Sequence, residues 1–78
     1  MPDPLPLSLA DARTAAGLTQ AAFGEIVGRS QGAIDKYERG ARKTPAQILD
    51  LACTALKLSD HDARRLLRWA AQARQEAA

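Results

Sequence analysis

Between Gly17 and Pro45 the chain reads GLTQAAFGEIVGRSQGAIDKYERGARKTP, and the punctuation of this stretch leaves little choice of local structure. Thr19 and Ser30 each stand just ahead of a run with helical periodicity. A hydroxyl there accepts from backbone N–H groups that have no partner inside the helix. The expected helices cover about Gln20 to Val27 and Gln31 to Glu38. Gly28 ends the first where a left-handed residue is easiest to place, and Gly40 stops the second. On the first helix Phe23, Ile26 and Val27 have the spacing of a buried stripe. On the second, Ala33, Ile34 and Tyr37 face inward, while Gly32, Asp35, Lys36 and Arg39 fall on the opposite side.

Two short helices joined by a tight glycine-containing turn, the second with a polar outer face, form the helix-turn-helix pattern whose second helix fits the major groove of DNA. The sequence resembles the Cro and phage-repressor type of helix-turn-helix, the Xre family. The matching residues are Gly17-Leu18-Thr19-Gln20, Phe23, Val27-Gly28, Ser30-Gln31, Ile34 and Tyr37-Glu38-Arg39-Gly40, with Arg13 upstream and Pro45 downstream. The resemblance covers about Leu9 to Leu58. It implies an all-α, five-helix repressor-like domain and an ion pair between Arg13 and Glu38 that ties the first helix to the end of the recognition helix. Two positions depart from the family: Gly24 replaces the usual alanine at the closest helix contact, and Gly32 replaces a side chain that would face the bases.

The chain has 78 residues, enough for one domain that buries only about 60% of its unfolded surface, so a partner would add stability. Its net charge of +2 argues for nucleic acid only if it is unevenly placed. It is uneven, since Arg29, Lys36, Arg39, Arg42 and Lys43 outweigh Asp35 and Glu38 within one stretch. One Cys and one His supply neither a disulfide nor a zinc constellation. No metal or cofactor is expected, and no nucleophile and base pair or carboxylate cluster suggests an enzyme. His61 reads as an exposed first-turn residue. No apolar run approaches the roughly 20 residues of a membrane span, and no export signal opens the chain. A cytoplasmic protein is expected, and the resemblance implies a bacterial or phage one.

In chain order, residues 1–7 (MPDPLPL) carry alternate prolines and read as a flexible arm, without the Arg or Lys that a minor-groove arm needs. The DNA-binding unit is expected over residues 8–58. Ser8 caps a helix of about Leu9 to Ala16, whose Leu9, Ala12 and Ala16 face inward with Arg13 beside them. Thr44 as cap and Pro45 as first helical residue start a fourth helix reaching about Lys57, with Ile48, Leu49, Leu51, Ala52, Ala55 and Leu56 on its apolar face. Cys53, at the edge of that face, reads as a small core residue. Ser59 caps a last helix of about Asp60 to Glu76, set apart as residues 59–78. Its stripe of Ala63, Leu66, Ala70, Ala73 and Ala77 outlasts a compact core, and Leu66, Trp69, Ala70 and Ala73 are the expected contacts of a homodimer.

Sequence reading needs side chains near the start of the recognition helix. Gln31 is the first candidate, because its amide both donates to and accepts from adenine; Lys36 reaches guanine or a phosphate, and Asp35 accepts from a cytosine amine or, as a negative charge near phosphates, either works against unwanted sites or pairs locally. Gln20, Arg29, Ser30, Arg39, Arg42 and Lys43 are the expected phosphate contacts on double-stranded DNA, Gln20 and Ser30 aided by helix N-termini. The leading reading is a homodimeric, sequence-specific repressor. A second is a DNA-binding antitoxin that also engages a toxin through its C-terminal helix. A third is a helical adaptor that has lost DNA binding, to which Gly32 and the low net charge lend some weight.

Overall fold

The computed structural model describes residues 5–77, with side-chain surroundings as far as residue 72. Its helices are α1 (Leu9–Ala15), α2 (Gln20–Val27), α3 (Gln31–Glu38), α4 (Ala46–Ala55) and α5 (Asp60–Ala77), with no strand among the described residues. The caps fall where the hydroxyls stand. Ser8, Thr19, Ser30 and Ser59 accept from the backbone N–H groups of Asp11, Ala22, Ala33 and Asp62 at 3.0–3.1 Å. Gly28 ends α2 at φ 75°, and the turn after it brings α3 against α2.

α4 starts differently from expectation. Pro45, extended at φ −61° and ψ 148°, is itself the N-cap residue and no side chain caps the helix. Thr44 lies buried ahead of it. At the other end, Leu58 N–H donates to Cys53 O at 3.0 Å and Lys57 N–H to Thr54 O at 3.2 Å, the two bonds of a Schellman stop. The left-handed position of that motif is held by Lys57, φ 53°.

Phe23, Leu9, Ile34, Ile48 and Leu66 are fully buried at the centre of a core shared by all five helices, completed by Ala12, Val27, Tyr37, Leu49, Ala52, Leu56 and Ala70. Three residues expected inside are not. Ala16 is exposed, Ile26 is 53% exposed and Leu51 39% exposed. α2 turns Phe23, Gly24 and Val27 to the core, a narrower strip that leaves Ile26 beyond its edge.

The core does not stop at Leu58. Leu66 and Ala70 are buried inside the subunit and Trp69 packs against the same core, so Leu66 and Ala70 are not free for a dimer contact. Leu67, 51% exposed, is the large apolar side chain that α5 leaves outside. The side chains of Ala73 and Ala77 lie outside the described residues.

The expected arm is anchored at its described end, Met1 to Pro4 lying outside the described residues. Leu7 N–H donates to Arg65 O at 3.1 Å, Arg65 Nε donates to Leu5 O at 3.0 Å, and Leu7 packs against the core. Proline at position 6 withholds a donor but leaves its neighbours free to bond across to α5.

Candidate nucleic-acid interface

The pair α2 and α3 is fixed by a close contact. A Cβ on Gly24 would stand 2.4 Å from the backbone carbonyl oxygen of Arg29, so the absence of a side chain sets how near the turn lies to α2. Ile34 and Tyr37 then fasten α3 to the core from its inner side. The outer side of α3 is open: Gln31, Gly32, Lys36 and Arg39 are exposed. Gly32 leaves a gap there, since a Cβ would meet only the Ser30 hydroxyl, at 4.0 Å.

The loop after α3 is not loose at its start. Ala41 and Arg42 N–H groups both donate to Lys36 O, at 2.9 and 3.3 Å. Arg42 and Lys43 are therefore carried by the end of α3 with both side chains exposed. Arg29 is exposed in the turn, with Nη1 donating to Gly28 O at 3.2 Å. Ser30 uses its oxygen as an acceptor for the cap, which leaves its hydroxyl hydrogen available to a phosphate.

Behind this face lies a chain of polar contacts through α1, α2 and α3. Arg13 donates Nε to Glu38 Oε2 at 2.6 Å and Nη2 to Glu38 Oε1 at 3.2 Å, a two-pronged pair whose side chains are 13% and 6% exposed. Its Nη1 donates to Leu18 O at 2.7 Å, so Arg13 holds both the end of α3 and the segment leading into α2. The hydrogen bond to Glu38 raises the pKa of the Arg13 guanidinium above its already high value; burial works the other way, and the charge of Glu38 adds to the rise.

Gln20 extends the chain. Its Nε2 donates to Glu38 Oε1 at 2.9 Å and reaches Asp35 Oδ1 at 3.4 Å. Asp35 in turn accepts from Arg39 Nε on its other oxygen at 2.9 Å. The Gln20 amide N–H groups, expected to face a phosphate, are thus turned toward two carboxylates, while its backbone N–H remains at the first turn of α2. Asp35, a candidate base reader, is engaged by two neighbours. The spacing along one helix predicts which residues share a face of α3, but no pattern in the chain announces that Gln20 crosses to it from α2. Leu18 O as an Arg13 acceptor is likewise invisible until the fold brings it near.

A family model described as "Helix-turn-helix domain" matches residues 7–67. The chain belongs to the helix-turn-helix domain family. No curated protein and no solved structure gives a significant match. The helix-turn-helix match runs through α1 to α4 and into α5 as far as the exposed Leu67, in keeping with a core that takes in Leu66. Helix-turn-helix domains are the DNA-contacting part of regulators. Among the described residues no group of three or more His, Cys, Asp or Glu could hold a metal ion, and no helix is long and apolar enough to cross a membrane.

Proposed function

We propose that the protein is a sequence-specific transcriptional repressor that binds double-stranded DNA as a homodimer, with α3 in the major groove. The observation that carries this reading is the open outer side of α3. Gln31 and Lys36 stand exposed on it, next to the gap at Gly32, and Arg29, Arg39, Arg42 and Lys43 flank it with positive charge. Gln31 and Lys36 read bases; Ser30, Arg29, Arg42, Lys43 and the N-terminal turn of α2 at Gln20 hold phosphates. With no side chain at position 32, base preference leans on the two neighbours.

A two-fold dimer would read an inverted repeat with half-sites about 10 base pairs apart. Since Leu66 and Ala70 are used within the subunit, we assign the dimer contact to the exposed Leu67 and the adjoining surface of Trp69 on α5. Selection from a random duplex pool tests the reading. The expected result is an enriched inverted repeat whose preference relaxes at single positions in Gln31→Ala and Lys36→Ala variants, each by about 1–3 kcal/mol. With six to ten phosphate contacts, affinity falls about a thousandfold or more between about 50 and 200 mM salt. A flat salt response, or unchanged preference in both variants, refutes it.

A further inference from the structure

We propose that Asp35 is a built-in competitor for phosphate: it occupies Arg39 and part of Gln20 in free protein and so lowers affinity for DNA of any sequence, without reading a base. The inference rests on the DNA-binding reading above. Each Asp35 oxygen faces a different donor, Arg39 Nε at 2.9 Å and Gln20 Nε2 at 3.4 Å, and the sequence pattern names both residues as phosphate contacts. Glu38 is not equivalent, because it is turned inward to Arg13 and nearly sealed from solvent.

The Arg39–Asp35 pair is open to exchange. Its side chains are 63% and 42% exposed and four residues apart on one helix, a kind of pair that contributes little in water. A phosphate reaching this face offers Arg39 the same chemistry as Asp35 does, a charged oxygen for an N–H donor. Freeing Arg39 for a phosphate costs its pair with Asp35, and leaving it paired costs one cationic contact. Either way the penalty falls on all duplexes alike, because no base edge is involved.

Asp35 is a positioning residue in this scheme, acting through Arg39, and the test compares Asp35→Asn, Asp35→Glu, Arg39→Ala and the Asp35→Asn/Arg39→Ala pair on random and selected duplexes over a salt series. Asp35→Asn is expected to bind both duplexes several-fold more tightly at low salt, by the same factor. Its salt slope should steepen by about 0.9, which is roughly 3.5-fold more affinity lost between about 50 and 200 mM. Asp35→Glu, which keeps the charge within reach of Arg39, should return the wild-type affinity. In the Arg39→Ala background the gain from Asp35→Asn should shrink. Relaxed preference at one base pair in Asp35→Asn would overturn the proposal in favour of cytosine reading. A fall in affinity together with a fall in melting temperature would overturn it in favour of a structural role, and an undiminished gain without Arg39 would show that Arg39 is not the route. Wild-type protein that binds while Asp35→Asn binds no tighter sinks this inference alone; wild-type protein that binds no duplex sinks the DNA-binding reading as well.

Discussion

Replacing Arg13 by methionine keeps an unbranched apolar stem and removes the guanidinium, and the contacts of that group set the size of the loss. Two charge-assisted bonds to Glu38 and one bond to Leu18 O disappear. Glu38, 6% exposed, keeps only the Gln20 amide as a side-chain donor. Breaking a well-buried ion pair from one side costs about 3–5 kcal/mol, and the 13% exposure of Arg13 puts this one near the lower end, about 3 kcal/mol. A domain of 78 residues has of order 4–12 kcal/mol in total, so the loss is a large share of it. At about 4–8 °C per kcal/mol the melting temperature falls by roughly 12–24 °C. The assay is urea denaturation and thermal melting of Arg13→Met, Glu38→Met and the double variant. Each single change leaves one charge behind without its partner, whereas the double change leaves none. The double variant should therefore lose clearly less than the two single losses added together, with a coupling of about 2 kcal/mol or more, in the upper half of the roughly 0.5–3 kcal/mol range for neighbours. A single loss under about 1 kcal/mol, or additive losses, would refute the assignment of Arg13–Glu38 as the tie between α1 and α3.

Gly24→Ala gains about 1 kcal/mol of helix propensity but sets a Cβ against the Arg29 carbonyl at 2.4 Å. Since such overpacking costs about 1–3 kcal/mol, denaturation should show a net loss near 1 kcal/mol, and a stabilised variant would mean that the turn yields easily. Lys57→Gly relieves a side-chain residue held at φ 53° and should stabilise by about 0.5–1 kcal/mol in the same assay; destabilisation would contradict the left-handed stop. Burial, and then the neighbouring charge of Asp50, push the Cys53 thiol up from its ordinary value. The thiol should thus react sluggishly with a thiol reagent in folded protein at neutral pH and quickly in urea. Because its folded pKa is the higher one, its contribution to stability is whole below the ordinary thiol pKa of about 8.5 and fades as pH rises through the folded value. Cys53→Ser should flatten that alkaline decline, and an unchanged decline would exclude Cys53 as its source.

The chain announces its helix starts because a capping hydroxyl acts within three residues: Ser8, Thr19, Ser30 and Ser59 are legible from local chemistry alone. Thr44 and Pro45 mislead, since two good N-terminal signals stand side by side and packing, which buries Thr44, decides between them. Periodicity gives the direction of a side chain around its own axis but not the width of the strip a neighbour covers. That is why Ile26, Leu51 and Ala16 end outside while Phe23 and Ile48 end inside. The open side of α3 is readable from its residues, and so is Arg13–Glu38 from the family resemblance. The crossing of Gln20 from α2 to Asp35 and Glu38 is not, because it depends on the angle between two helices.

Leu66 sits at the meeting place of both ends of the domain: α5 delivers it to the core, and the 5–7 segment is stitched across the same helix at Arg65. A minimal DNA reader cut after Leu58 would therefore not be a smaller tool but a punctured one, with a leucine-sized hole beneath the helices it was meant to preserve. Anyone grafting this motif elsewhere has to carry the first half of α5 along, or supply another leucine in its place.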